Sequence, residues 1–185
     1  AALTRNGFQR ISAPDYQACW RRRSLEVPIP DSPPPPGYTV RALGDGLELL
    51  ERCYASGIAF HPDEPAIAIE NRDDVSWYRN IQNAPLYRRD LDIVAIAPDG
   101  AVASFCTAWF DDVTRTAVFE PVGTVPTHQR RGLGKAVLCE AFRRLKHLGA
   151  VMAYVHSYEP PAHALYASVG FTEYDLVEPW VKEAC

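Results

Sequence analysis

The sequence lacks the features that mark membrane, secreted and nucleic-acid-binding proteins. No apolar run approaches the ~20 residues that cross a bilayer, and no signal peptide is recognisable. The net charge is only −4, whereas a protein that binds nucleic acid electrostatically carries a basic surface. We therefore expect a cytoplasmic protein with neither a membrane nor a nucleic acid among its partners.

Cysteine is scarce and scattered. The five cysteines form no C-x-x-C pair and no metal-ligand spacing, and they are Cys19, Cys53, Cys106, Cys139 and Cys185. We expect reduced thiols, most of them buried as small apolar side chains. His61, Asp63 and Glu64 stand together, but they lie in a proline-flanked stretch that is typical of a solvated loop. No metal site is therefore expected.

Proline, in contrast, is abundant and concentrated in residues 28–37, which contain Pro28, Pro30 and the run Pro33-Pro34-Pro35-Pro36. Such a segment is extended, semi-rigid and unable to enter the interior of a sheet. It is typical of a spacer, although a PxxP segment is also a ligand for recognition modules. We place a linker there, between residues 1–27 and a domain at residues 38–185.

Residues 1–27 carry a weak echo of the other end of the chain. Gly7-Phe8 matches Gly170-Phe171, and the apolar residues around them follow in a similar order. The echo favours the tail of a preceding, related domain, and a plain N-terminal extension is the alternative. Arg21-Arg22-Arg23 is typical of a solvated strand edge, with a phosphate-binding patch as the other interpretation.

Periodicity predicts the order β-α-α-β-β-β-α-β-α-β after the proline-rich segment. Strands are predicted at 38–43, 91–97, 101–110, 116–125, 150–155, 171–176 and 180–183, and helices from Asp45, from Asp73, over 132–148 and over 160–167. The first helix is predicted to bury Leu47, Leu50, Tyr54 and Ile58, and residues 60–72 are predicted to be an irregular loop. A three-stranded meander followed by a parallel strand across a helix defines an α/β domain with a single sheet.

The most informative stretch joins the third strand of the meander to the long helix. It places Arg130, Arg131 and Lys135 around Gly132 and Gly134. A first turn with small residues exposes backbone N–H groups at the positive end of the helix dipole, and the basic side chains add full charges. The stretch therefore predicts a site for a phosphate-bearing ligand, with an ordinary helix start beside a basic surface as the alternative. It matches neither a P-loop nor a Rossmann turn, because the Ser or Thr and the third glycine are missing.

Two motifs resemble those of the GCN5-related N-acetyltransferase (GNAT) family. Gln129-Arg130-Arg131-Gly132-Leu133-Gly134 is similar to the family's Q/R-x-x-G-x-G/A signature, and Ala164-Leu165-Tyr166 followed by Gly170-Phe171 is similar to its A-L-Y-x-x-x-G-F segment. The resemblance covers residues 38–182. It implies an α/β (α+β) GNAT fold, with a single mixed, mostly antiparallel sheet, a splayed central parallel strand pair and helices on both faces. Residues 119–123 and the N-terminal echo are also similar to tandem-domain members of the mycothiol-synthase type.

In that family the glycine turn binds the pyrophosphate of acetyl-CoA, the co-substrate. The resemblance implies a cofactor site made of a strand end, the turn and the first helical residues, together with a serine near the position where many members have asparagine. Its residues are Val122, Gly123, Thr124, Val125, Gln129, Arg130, Arg131, Gly132, Leu133, Gly134, Lys135, Ala136 and Ser157. No metal is implied.

Pro121 interrupts the strand that leads into the turn, and proline in a strand belongs at an edge or a bulge. A break there would splay the strand from its parallel neighbour and open a slot for the pantetheine arm, with a backbone N–H near Val122 polarising the acetyl carbonyl. The resemblance implies Glu120 as the base and Tyr166 as the proton donor to the leaving thiolate. The alternatives are a structural or solvent-facing glutamate and a core tyrosine.

The sequence thus predicts an acetyl-CoA-dependent N-acetyltransferase that transfers acetyl to a primary amine of an unidentified small molecule or peptide, by direct attack in a ternary complex. His128 and His156 are lesser candidates for the base. The alternative is a catalytically inactive domain that binds acyl-CoA or a partner. The acceptor carries no diagnostic motif, and an exposed last strand could pair with a second copy in a homodimer.

Overall fold

The structure, a computed structural model, describes residues 2–11 and 18–182. In chain order its elements are α1 (Ala2–Arg5), β1 (Gln9–Arg10), β2 (Cys19–Ser24), β3 (Thr39–Ala42), α2 (Leu47–Phe60), α3 (Pro65–Asp73), α4 (Ser76–Gln82), β4 (Asp92–Ile96), β5 (Val102–Asp111), β6 (Thr116–Thr124), α5 (Leu133–His147), β7 (Met152–Ser157), α6 (Pro160–Ser168), β8 (Glu173–Leu176) and β9 (Trp180–Val181). Within these described ranges, no helix combines the length and the apolar character needed to cross a bilayer.

One seven-stranded sheet organises the molecule, in the order β3-β4-β5-β6-β7-β2-β8. Strands β6 and β7 run parallel, and the other neighbours in this sheet are antiparallel. The predicted fold class is therefore confirmed, as is the meander formed by β4, β5 and β6. Strands β1 and β9 form a separate two-stranded antiparallel sheet.

Helices cover both faces of the large sheet and create two apolar cores. Helices α5 and α6 cover one face, where the rings of Phe119, Phe142 and Phe171 meet with centroids 5.3–6.2 Å apart. On the other face, α2 and α4 pack Cys53 and Tyr78 against β4 and β5. Truncating a buried aromatic ring to alanine costs roughly 3–5 kcal/mol, so these two layers hold the strands that carry the site.

Strand β2 lies inside the sheet, between β7 and β8, and this corrects the expectation of a solvated arginine edge. Strand alternation turns Arg21 and Arg23 inward, where they are 8% and 3% exposed. Arg21 Nε donates to Ser157 Oγ at 3.0 Å, and Arg23 Nη2 donates to Pro28 O at 2.9 Å. Only Arg22 faces outward. The buried guanidinium groups are tolerated because neighbouring strands and loops supply acceptors.

The N-terminal echo has a structural counterpart. Helix α1 is followed by Gly7 and helix α6 by Gly170, and both glycines have positive φ values, 80° and 97°. The next residue in each case donates its N–H to the carbonyl five positions earlier, at 3.1 Å for Phe8 and 3.0 Å for Phe171. Both are Schellman-type helix ends, and each is followed by two strands. The order helix, glycine stop, strand, strand therefore occurs twice.

The prediction that residues 60–72 form an irregular loop was wrong. Helix α3 begins at Pro65. Proline suits the first helical position, because the N–H it lacks would have no intrahelical partner there. Gly57 of α2 allows the two helices to touch, since a Cβ at that position would lie 2.4 Å from Ala68 Cα.

The predicted buried face and the predicted start of α2 were also wrong. Leu47 is 79% exposed, whereas the helix buries Leu49, Arg52 and Cys53. The face is rotated because Arg52 points inward, with its guanidinium 3.7 Å from the ring centroid of a buried phenylalanine. Gly46, not Asp45, precedes the helix, and Asp45 pairs with Arg89.

The end of the chain differs from the prediction as well. Strand β9 leaves the large sheet and pairs with β1, and residue 183 of the predicted strand 180–183 lies outside the described residues. Cys19, Cys53, Cys106 and Cys139 are buried, as predicted for most of the thiols, and Cys185 lies outside the described residues. Burial raises the pKa of Cys53 to about 11, which makes a reactive thiolate there unfavourable at neutral pH.

Candidate active site

The parallel strands β6 and β7 separate partway along their length, and the gap between them is the candidate site. They pair only as far as Phe119 and Val155. Strand β6 then continues beside β5 to Thr124. Beyond Phe119, no strand in the described part of the chain pairs with the edge of β6 that faces β7.

A β-bulge marks the point of separation. The register of the β5–β6 pair shifts between Cys106 and Ala108, so that Glu120 and Pro121 together face one residue of β5. Proline is tolerated in a bulge because a ladder donor is not needed there. Trp109 Nε1 donates to Glu120 O at 2.6 Å, and this bond fixes the bulged backbone that carries the Glu120 side chain.

The hydrogen-bond register makes two backbone N–H groups of β6 point into the gap. Val125 N–H donates to Ala103 O at 3.0 Å, and bonded positions recur at every second residue of an antiparallel pair. The N–H groups of Val122 and Thr124 therefore point away from β5, towards the gap. From that side, Gln129 Nε2 donates to Thr124 O at 3.2 Å.

The absence of a side chain at Gly123 is required by its neighbour Phe105. A Cβ at Gly123 would lie 2.3 Å from Phe105 Cζ. The phenylalanine cannot move aside easily, because it is fully buried and its ring stacks on the Arg52 guanidinium. The floor of the gap is therefore a backbone packed directly on an aromatic ring.

The connection from β6 to α5 forms a turn suited to an anion. Arg130 and Gly132 both have positive φ, 61° and 81°, and such curled backbone makes successive N–H groups converge. No side chain caps α5, so its first N–H groups have no intrahelical partners. Gly134 also permits close packing, since a Cβ there would lie 3.1 Å from Leu165 Cδ2.

Basic side chains surround this turn. Arg131 is held by the protein, with Nη1 donating to Tyr38 Oη at 3.2 Å and Nη2 to Thr127 O at 3.3 Å. Arg130 is exposed and Lys135 is partly exposed, and neither forms an ion pair with a described residue. Leu133 and Ala136 are buried, so they offer only main-chain atoms to a ligand.

Tyr166 and Ser157, on α6 and at the end of β7, complete the set of sequence-predicted residues. Tyr166 is 6% exposed, and burial, followed by the Glu120 carboxylate, raises the pKa of its hydroxyl above the ordinary value. The fold thus brings Glu120 and Tyr166 within electrostatic reach of each other. Ser157 is buried, and its Oγ lies 2.7 Å from His163 Nδ1 and accepts from Arg21. The hydroxyl of Ser157 is therefore already engaged inside the protein.

The two histidines considered as bases are both held by tyrosines. His128 Nδ1 lies 2.9 Å from Tyr38 Oη, and His156 Nδ1 lies 2.8 Å from Tyr158 Oη. His61, in the acidic stretch, lies 3.9 Å from the carboxylate of a neighbouring glutamate. The described residues contain no group of three or more His, Cys, Asp or Glu side chains that could hold a metal ion.

Sequence reasoning missed a buried carboxylate on the face of the sheet that α2 and α4 cover. Asp92 accepts hydrogen bonds from Tyr78 Oη at 2.7 Å, Tyr87 Oη at 2.8 Å and Thr107 Oγ1 at 3.1 Å. Burial raises the pKa of both tyrosine hydroxyls, which therefore stay protonated and able to donate. The signal was an aspartate inside an otherwise apolar strand, because a buried carboxylate needs hydrogen-bond donors. Tyr87 also contacts Trp109, with ring centroids 6.3 Å apart.

A mixed sheet, a splayed parallel pair and a glycine turn at a helix start together define a fold of the acyltransferase class. The model of the acetyltransferase (GNAT) family matches residues 47–171. The chain belongs to this family, and its fold class and its resemblance to GNAT proteins are thereby confirmed.

Curated relatives share a single name. The chain is 30% identical over 199 aligned residues to the mycothiol acetyltransferase of Nocardioides sp., covering 95% of this chain and 62% of the relative. It is 42% identical over 172 residues to the mycothiol acetyltransferase of Pseudarthrobacter chlorophenolicus, covering 85% of this chain and 50% of the relative. The chain thus spans about half to three fifths of the length of the curated relatives it matches.

Solved structures show the same fold at low identity. A GCN5-related N-acetyltransferase from Sphaerobacter thermophilus superposes with a TM-score of 0.70 at 17% identity, covering 97% of this chain and 53% of that protein. A tandem GNAT protein from the clavulanic acid biosynthesis pathway gives a TM-score of 0.62 at 12% identity, covering 96% and 55%. At these identities the likeness establishes the fold alone.

Proposed function

We propose that this chain is an acetyl-CoA-dependent N-acetyltransferase that transfers acetyl to a primary amine by direct attack within a ternary complex. The observation that carries the proposal is the open edge of β6. The N–H groups of Val122 and Thr124 face a gap that leads to the uncapped start of α5. Such an edge accepts an extended amide-bearing arm as an added strand, and the helix start accepts phosphate groups.

The chain's residues fit acetyl-CoA, which supplies the acetyl group in activated form as a thioester. The turn at Gly132 and the first N–H groups of α5 hold the pyrophosphate, and the exposed Arg130 adds charge. The main chain of 122–125 pairs with the amide groups of the pantetheine arm. Val122 N–H donates to the acetyl oxygen, on which negative charge develops during attack.

Glu120 accepts a proton and Tyr166 donates one during the proposed reaction. An alkylammonium group has a pKa near 10, so the acceptor must lose a proton before its nitrogen can attack. Glu120 is exposed at the edge of the gap and takes that proton directly or through a water. Tyr166 stays neutral because its pKa is raised, and its hydroxyl donates to the sulfur as the new N–C bond forms and the C–S bond breaks.

The acceptor is a small molecule or a peptide that carries a primary amine. The curated relatives are named mycothiol acetyltransferases, and this makes the acceptor of those enzymes the first one to assay. The remaining panel consists of amino acids, aminoglycosides, amino sugars and simple alkylamines.

The experiment measures release of CoA from acetyl-CoA against this panel. Glu120→Gln is expected to lower kcat by about 100-fold or more, the scale of general-base catalysis, with the pH dependence of the rate altered. Tyr166→Phe is expected to lower kcat by roughly tenfold, without weakening acetyl-CoA binding. Glu178→Gln and Tyr174→Phe, at exposed positions, are the matched controls and are expected to leave the rates unchanged.

Two results would redirect the proposal. Unchanged rates in both Glu120→Gln and Tyr166→Phe would remove these residues from the mechanism. Saturable acetyl-CoA binding without turnover of any amine would support the alternative, a catalytically inactive domain that binds acyl-CoA or a partner.

We also propose that residues 1–27 are the tail of a preceding domain with the same fold. The repeated helix end at Gly7 and Gly170 supports this. The sheet topology supports it as well, because the N-terminal strand β2 lies between β7 and β8 in the large sheet, whereas the C-terminal strand β9 pairs with the N-terminal strand β1. Immunoblotting of the native host with an antibody to this chain tests it. A single band at the mass expected for these 185 residues would contradict it.

A further inference from the structure

We propose that the sheet face beside Glu120 carries an aromatic platform for the acceptor, formed by Trp20, Tyr154, His156 and Tyr158. The platform takes a primary amine borne on a hydroxylated six-membered ring, as in an amino sugar. This inference rests on the proposed N-acetyltransferase function and names the acceptor class of the same site.

The strand register sets these rings on the same face of the sheet as Glu120. Val118 on β6 pairs with Tyr154 on β7. Residues two positions further along a strand share its face, so Glu120 and His156 lie beyond this pair on the same side of the sheet. Trp20 on β2 stands directly opposite His156. The platform therefore lies on the same face of the sheet as Glu120, on the other side of the gap between β6 and β7.

The rings form one continuous surface. Trp20 and Tyr154 lie with centroids 6.1 Å apart and planes inclined by only 19°. His156 lies 5.5 Å from Trp20 and 4.4 Å from Tyr158. Trp20 is 37% and Tyr158 is 55% exposed. The helices on this face pack against β4, β5 and β6, and the exposed fractions of Trp20 and Tyr158 show that these rings remain accessible in the part of the chain that the structure describes.

The chemistry of the surface selects the class of ligand. A flat aromatic surface attracts the C–H face of a saturated ring, and its negative π-face attracts a nearby ammonium group. A simple unbranched amine presents too little flat surface to use it. The amine of a ring seated on the platform would lie at its Glu120 edge, where the positive charge is favourable.

Polar groups at the platform favour a ring with hydroxyl groups over an apolar one. His156 Nε2 is buried and makes no hydrogen bond with any described residue. This atom is enclosed by its neighbours, so polar contacts to a ligand come from the rim of the platform. At the rim, Arg22 is fixed by Glu173 at 3.0 Å and Asp175 at 2.9 Å. Hydroxyl groups of a ligand on the platform can meet these charged groups.

The test measures acceptor binding separately from turnover. In the presence of saturating CoA, which allows binding without chemistry, calorimetry gives the Kd of D-glucosamine and of ethanolamine, a hydroxylated amine without a ring. Glucosamine is expected to bind about tenfold more tightly than ethanolamine to the wild type. Trp20→Ala is expected to raise the Kd of glucosamine about tenfold. The Kd values of ethanolamine and acetyl-CoA are expected to change by less than about twofold.

Tyr174→Ala is the matched control. It removes a 53% exposed aromatic side chain from the neighbouring strand, but this ring lies on the opposite face, beside Arg21. Its glucosamine Kd is expected to equal that of the wild type. Trp20→Phe, which keeps a ring, is expected to recover part of the lost affinity, and circular dichroism checks that each variant is folded.

The outcomes separate this inference from the proposed function. The platform is overturned if Trp20→Ala raises the Kd of glucosamine and of ethanolamine equally, or if the wild type binds the two amines with the same Kd. An unchanged glucosamine Kd in Trp20→Ala also overturns it. If no amine releases CoA, yet glucosamine binding still depends on Trp20, the proposed function fails and the platform stands.

Discussion

Replacing Gly132 by alanine separates the proposed contribution of the β6–α5 turn to phosphate binding from its contribution to stability. The φ of Gly132 is 81°, and a Cβ there would meet no atom within 4 Å. The cost is therefore backbone strain alone, about 1–2 kcal/mol for an L-residue in the left-handed region. For a chain of this length, that cost lowers the Tm by about 2–8 °C.

Gly149, which follows the other end of α5, is the matched control. Its φ is 87°, and a Cβ there would make an ordinary contact of 3.8 Å with Arg115 Nη2. Gly149→Ala thus carries a similar strain at the other end of the same helix, about 25 Å from the turn by the helical rise. Calorimetric unfolding is expected to show similar losses of Tm for the two variants.

Acetyl-CoA binding is expected to distinguish the two glycine variants. A shift of the Gly132 turn removes one or more N–H bonds to phosphate, and a hydrogen bond to a charged group contributes about 1.5–3 kcal/mol. Titration calorimetry should therefore show an acetyl-CoA Kd raised at least tenfold in Gly132→Ala and unchanged in Gly149→Ala. Equal Kd values for the two variants would refute the assignment of this turn to the pyrophosphate.

Three further substitutions test the surroundings of the site. Gly123→Ala forces a Cβ into a buried ring at 2.3 Å and should lower the free energy of unfolding by about 1–3 kcal/mol or more, measured in urea. A hydrogen bond from Arg41 holds the pKa of Glu48 in the folded protein below its usual 4.5. The stability that the ionised Glu48 contributes is therefore fully present above pH 4.5 and is lost as the pH falls through the lower pKa of the folded state. Glu48→Gln should therefore cost about 1.5–3 kcal/mol at pH 7, and its deficit should shrink in acid; a pH-independent deficit would contradict this. Ser157→Ala leaves Arg21 Nε buried without its acceptor and should destabilise the fold by about 1–3 kcal/mol, in contrast to Ser168→Ala on the exposed side of α6.

The parts of the fold that sequence could predict are those specified locally. The meander of β4, β5 and β6 follows from alternation and turn residues, and α5 from its apolar stripe and the glycine that ends it. The break at Pro121 follows from the missing N–H of proline, and the structure has a bulge there. The glycine turn at the start of α5 follows from Gly132 and its positive φ. Each of these signals lies within a few residues of its consequence.

The parts that could not be predicted depend on long-range partners. Nothing near Arg21 or Arg23 shows that β7 and β8 will enclose them, since a strand's neighbours are chosen by packing across the whole chain. The same holds for the inward rotation of Arg52, which depends on a distant phenylalanine. Asp92 is a polar residue in an apolar strand, and the tyrosines that bind it come from outside that strand.

The proline-rich segment 28–37 connects the N-terminal strand to the cofactor side of the proposed site. At its start, Arg23 Nη2 donates to Pro28 O. Just after its end, Tyr38 Oη lies 2.9 Å from His128 Nδ1 and accepts from Arg131. An extended, semi-rigid segment that is held at both ends acts as a spacer of fixed length, because its prolines leave few alternative conformations. Strand β2 and the turn between β6 and α5 are therefore held in one arrangement, although the composition of the linker suggested a boundary between independent units.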